Sequence, residues 1–98
     1  MSQETAVPAT IDLSKYIDTK YFGERPHIRG RRIPVAAVAN GAQMQQWSIY
    51  QIMDEFDLSE AEVLAALLYY QEYQTVIDQQ EAIYQTELNE MYRLYGKD

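Results

Sequence analysis

Apolar residues recur at helical spacing over the last two thirds of this chain and at no such spacing over the first third. Over residues 11–33 they come as short pairs, Tyr16-Ile17 and Tyr21-Phe22, set among Gly23, Pro26 and Gly30. That texture belongs to brief strands and turns, and Pro26 and Pro34 forbid an ordinary helix interior. Two short strands are expected, about 21–22 and 31–33, within a β element at about 20–34. A two-stranded hairpin is barely stable alone, so it must lie against a helical body. Residues 1–10, small and polar with Pro8, read as a flexible tail ahead of a single domain at 11–96.

Pro34 suits a helix start, because its missing N–H has no intrahelical partner there anyway. A helix to about residue 45 follows, with Val35, Val38 and Ala39 on one face and Asn40-Gly41 weakening it. Ser48 and Ser59 each open a capping box, with the reciprocal side chain expected only for the first. Ile49, Ile52, Met53 and Phe56 fit one short amphipathic helix, and Val63, Leu64, Leu67 and Leu68 the next. Only Asp57-Leu58-Ser59 remains for the turn between them, with Leu58 pointing inward. Helix, three-residue turn, helix at about 48–71 is the outline of a helix-turn-helix. A separate C-terminal helix is expected at about 75–95, with Thr75 near its start and Gly96 as terminator. The predicted fold is therefore mainly α, with a short N-terminal β-hairpin and a long C-terminal helix.

Charge changes this picture by giving the chain two unlike ends. Residues 1–32 hold six cations against four acids, and residues 33–98 two against eleven. Half of the eight cations sit in the segment that runs from Arg25 to Arg32. The net charge of −7 argues against indiscriminate nucleic-acid binding, yet it permits a local basic patch. The absence of cysteine removes disulfides, thiolate metal sites and thiol nucleophiles together. Neither an export signal nor a membrane-spanning run is visible, so a cytoplasmic protein without a membrane role is expected.

The segment Gly23-Glu24-Arg25-Pro26-His27-Ile28-Arg29-Gly30-Arg31-Arg32-Ile33-Pro34-Val35 resembles the entry motif of a bacterial family, domain of unknown function 433. The resemblance continues through Ser48, Ile52 and Asp57-Leu58-Ser59, then the run from Val63 to Tyr70, and reaches Ile77-Asp78, covering residues 21–83. Two positions depart from the pattern: Arg31 stands where the family usually has Thr, and Gln46 where a Gly normally precedes the second helix. The resemblance implies a homeodomain-like helix-turn-helix, usually dimeric. It also implies an antitoxin-like role, since members are often labelled antitoxins encoded beside nuclease-like toxins. Fold alone does not fix function.

Several sites follow as expectations. The second helix of the pair offers Glu60, Ala61, Glu62, Ala65, Leu68 and Tyr69 where a recognition helix would carry Arg, Lys, Asn or Gln, so it reads as scaffold. Arg25, Arg29, Arg31 and Arg32 are the better candidates for a ligand. A glycine-containing ribbon of arginines can lie along a nucleic-acid backbone, dock an acidic protein surface, or balance acids of its own chain such as Glu24, Asp54 and Asp57. One of the four, Arg32, is expected to be tied up structurally, because the family's motif arginine falls there. Seven of the nine tyrosines lie beyond residue 49 among acids, which favours packing over base stacking.

Ile77, Tyr84, Leu88, Met91 and Tyr95 recur along one side of the C-terminal helix, a stripe too long for one small body to cover. A homodimer through that stripe is expected, since each buried apolar side chain is worth about 1.5–3 kcal/mol. Catalysis finds little support: His27 is the only histidine, the serines fall at helix caps, and Asp54, Glu55 and Asp57 lack the spacing of a cation loop. No cofactor, metal or small-molecule substrate is expected. The sequence thus points to a non-enzymatic antitoxin-like or regulatory protein that binds a partner protein, with DNA as a further ligand. The alternative is a protein-interaction adaptor whose helix-turn-helix is only scaffold.

Overall fold

The computed structural model describes residues 12–20 and 25–96. The expected tail and the expected strand at 21–22 lie outside them. A short 3-10 turn, Leu13–Lys15, leads into β1, Ile17–Asp18, which pairs antiparallel with β2, His27–Ile28. Ile17 faces Ile28 and Asp18 faces His27. Three helices follow: α1, Val35–Gln43; α2, Ile49–Phe56; and α3, Glu60–Tyr95. The molecule is mainly helical, with a small hairpin near its front and one long helix at its end.

The hairpin sits earlier than the sequence pattern placed it. Residues 31–33 form no strand; they close a turn in which Arg31 N–H donates to Ile28 O and Ile28 N–H donates to Ile33 O, both at 2.9 Å. Gly30 supplies the positive φ of 80° that this reversal requires. Of the apolar pair Tyr16-Ile17, Ile17 reaches the core and pairs with the fully buried Ile28. Val35 N–H donates to Pro26 O at 2.9 Å, which ties the start of α1 to the hairpin.

Both capping boxes are complete. Gln51 accepts from Ser48 N–H and Glu62 from Ser59 N–H, while each serine oxygen accepts from the backbone three residues on. The reciprocal bond expected only after Ser48 therefore forms after Ser59 too, since Glu62 occupies the equivalent position. The core joins Ile17, Ile28, Val35, Val38, Ala39, Ile52, Leu58, Val63, Ala65, Ala66, Tyr70 and Ile77. Leu58 turns inward as its place in the turn demanded. Leu64 and Leu68, read as core from their spacing, are exposed instead; the buried face of α3 runs through Val63, Ala66 and Tyr70. Val63, Ala66 and Tyr70 share one helical face at steps of three and four, which leaves Leu64 and Leu68 on another.

The helix expected to end near residue 71 and the one expected from about residue 75 meet at a kink within α3: Tyr73, at φ −124° and ψ 30°, is non-helical, with a helical segment on either side. The Tyr70 hydroxyl donates to Asp78 Oδ1 at 2.8 Å, a staple from one segment to the next. The overall extents are 65 × 25 × 23 Å. A helix of this length spans about 54 Å at 1.5 Å per residue, so α3 sets the long axis.

Candidate functional site

Three of the four candidate arginines are held by the protomer itself. Arg25 meets Glu81 on α3 in a two-pronged pair, its Nε and Nη2 donating to Oε2 and Oε1 at 2.9 and 3.1 Å. Its guanidinium also lies 3.9 Å from the centre of the Tyr84 ring. Only 14% of that side chain remains exposed. Such a paired, stacked guanidinium is fixed in place rather than offered to solvent.

Arg29 is tied to the segment before it. Its Nε donates to Ser14 O at 3.0 Å, its Nη1 to Asp18 Oδ2 at 3.0 Å, and its Nη2 to Ile17 O at 3.2 Å. Asp18 also accepts the backbone N–H of Lys20. That bond first, and the Arg29 charge after it, hold the Asp18 carboxyl below its ordinary range. About half of the Arg29 side chain still meets water.

Arg31 has a different role. Its Nη1 and Nη2 donate to the carbonyls of Asp57 and Phe56, both at 2.9 Å, at the C-terminal end of α2. Those carbonyls have no intrahelical partner, and the helix dipole favours a cation beside them. The arginine that replaces the family's usual Thr is thus a helix cap that locks the hairpin turn to the α2–α3 junction. Arg32, expected to be the structural member, is exposed and makes no hydrogen bond or ion pair among the described residues. Capping needs reach across 26 residues of sequence, which no local spacing discloses.

His27 is buried in the hairpin, its Nδ1 3.0 Å from Arg25 O. Asp54 and Asp57 are exposed at the far end of α2. Among the described residues no group of three or more His, Cys, Asp or Glu is placed to hold a metal ion. No helix there is long and apolar enough to cross a membrane.

The solvent face at the start of α3 is Glu60, Ala61, Leu64 and Leu68. It is acidic at its tip, apolar beyond, and without a cation. Sequence reasoning noted the missing cations and offered Leu68 on this face, but not Leu64. A second apolar surface lies at the far end of the same helix. The proposed dimer stripe divides there: Ile77 is buried at 2% exposure within the protomer, and Tyr84 is half-buried beneath Arg25. Leu88 is half-buried, while Met91 and Tyr95 are 54% and 74% exposed. Tyr92, beside them, is 67% exposed.

A mainly helical domain with a paired front hairpin and a three-residue turn between α2 and α3 is thus in hand, together with an arginine segment folded onto its own helices. Residues 16–70 match the family model described as a protein of unknown function, DUF433, and the chain belongs to that family. The match ends just before the break at Tyr73, so the second segment of α3 lies beyond it. No curated protein and no solved structure matches the chain.

Proposed function

We propose that this protein is a non-enzymatic, antitoxin-like or regulatory adaptor that binds protein, acts as a homodimer, and uses its helix-turn-helix outline as scaffold. The observation that carries this reading is the fate of the arginine segment: Arg25, Arg29 and Arg31 are engaged by Glu81, Asp18 and the end of α2. Phosphates would have to displace those partners before they could be bound. The face at the start of α3 supports the same view, because Glu60 repels a phosphate backbone and Leu64 and Leu68 suit an apolar protein surface. The distal turns of α3 supply the self-association surface. A nuclease-like toxin is the partner class that the family resemblance implies.

A second reading, DNA contact at the hairpin turn, rests on one observation. Arg32 is exposed, and about half of the Arg29 side chain meets water although its guanidinium is bonded to Ser14 O, Asp18 and Ile17 O. Titration of duplex DNA by fluorescence anisotropy at low salt separates the readings. The adaptor gives no saturable binding. A DNA-binding protein gives an affinity that falls with salt, with a log–log slope that Arg32→Ala flattens by about 0.9 for one lost phosphate contact.

A further inference from the structure

We infer that the second segment of α3 is a hinged arm and that Arg25 is the latch fastening it to the hairpin. The inference goes beyond the reading above and stands within one protomer, so it does not depend on self-association. The hinge is at Tyr73, whose φ of −124° and ψ of 30° interrupt the helix. Where helical geometry is broken, the backbone no longer carries one rigid rod across the break. The direction of the second segment is then set by what its side chains hold on the body.

Those holds fall into two groups. Near the hinge, Ile77 is in the core at 2% exposure, and the Asp78 carboxylate accepts the Tyr70 hydroxyl at 2.8 Å. Further out, the Glu81 carboxylate takes both prongs of Arg25, and the Tyr84 ring centre lies 3.9 Å from that guanidinium. Ile77, Glu81 and Tyr84 share one face at steps of four and three. At 1.5 Å per residue, Ile77 is about 6 Å from the hinge and Tyr84 about 16 Å. A slack of about 1 Å at Ile77 therefore allows about 10° of swing, and the same slack at Tyr84 about 4°. Ten degrees carries Tyr95, about 33 Å out, sideways by about 6 Å. The outer hold, more than the core contact, fixes the arm.

The chemistry of the outer hold suits a latch. A guanidinium fork meets a carboxylate in a defined geometry that a point charge does not impose. The two side chains are 14% and 28% exposed, so salt screens the pair little. Its halves come from parts of the chain 56 residues apart. Arg25 lies within the part that matches the family, while Glu81 and Tyr84 lie beyond it. The latch thus fastens an extension to the family's own module and decides where the distal turns are presented.

The chain has no cysteine, so introduced thiols carry the only spin labels. Gln43 on α1, Gln71 before the hinge and Asn89 on the arm are all exposed. Double electron–electron resonance on Gln43→Cys/Asn89→Cys, in a large excess of unlabelled protein, reads the arm within one chain. A single narrow separation is expected. Glu81→Ala, which leaves a good helix former in place, is expected to broaden or shift it by about 4 Å or more, the travel of residue 89 over about 10°. Arg25→Ala is expected to do the same. The pair Gln43→Cys/Gln71→Cys, on the body side of the hinge, is expected to stay narrow. An arm separation that Glu81→Ala leaves unchanged would overturn the latch. So would a body pair that broadens as much as the arm pair in Glu81→Ala, since Arg25 and Glu81 would then hold the body together rather than the arm. Should Arg25→Ala lose its fold, Glu81→Ala decides alone.

Discussion

At Gly41, in the middle of α1, a β-carbon would stand 2.6 Å from Cε3 of Trp47. The glycine that weakened the helix on paper is there because the indole ring packs against bare backbone. Alanine elsewhere in a helix gains up to about 1 kcal/mol over glycine. Here overpacking costs about 1–3 kcal/mol, so Gly41→Ala is expected to destabilise, by about 1 kcal/mol net in urea unfolding. Gln46 presents the opposite case. It takes φ 58°, the left-handed conformation that the family's usual glycine adopts without penalty. Gln46→Gly is expected to raise stability by up to about 1 kcal/mol, read as a higher urea midpoint at unchanged slope. The missing glycine was visible in the sequence, and Gln46 takes a left-handed conformation of the kind glycine favours. What could not be seen was the cap made by Arg31, because its partners are carbonyls on a distant helix and carry no side-chain signature.

Among the elements, the helices were readable because each carries its own signal: two serine caps, an inward Leu58, and apolar steps of three and four. The hairpin was located less well. Strands of two residues are shorter than any periodicity can register, so Tyr16-Ile17 passed as one apolar pair among others. The break in α3 falls close to where the sequence expected a new helix, although neither proline nor glycine marks it. The bond from Tyr70 to Asp78 crosses it. Burial first, and then this bond to the Asp78 carboxylate, push the Tyr70 hydroxyl above its ordinary value of 10.0. A raised value means that the folded state favours the neutral phenol. Its contribution is therefore complete below the unfolded value and is lost as pH rises through the folded one. Thermal unfolding followed from pH 8 to pH 11 is expected to show a falling midpoint above about pH 10, and Tyr70→Phe is expected to make that fall shallower.

For the whole molecule, charge geography gives less function than the sequence promised. The arginine segment is folded onto acids and carbonyls of its own chain, leaving Arg32 and part of Arg29 outward together with the exposed Lys15 and Lys20 of the positive front. The apolar stripe expected to join two subunits is real as a stripe, but its first half closes the protomer. Sequence spacing shows that residues share a face; it does not show what already lies on that face, and here the hairpin does as far as Tyr84. The distal part, with half-buried Leu88 and exposed Met91 and Tyr95, is the surface on which the adaptor reading depends.

Sedimentation equilibrium from one to one hundred micromolar tests that reading most directly. The wild-type chain is expected to pass from monomer to dimer within this range, and Leu88→Asp/Met91→Asp to remain monomeric with its body still folded. A wild-type protein that stays monomeric throughout, or a double variant that dimerises as readily, would contradict it.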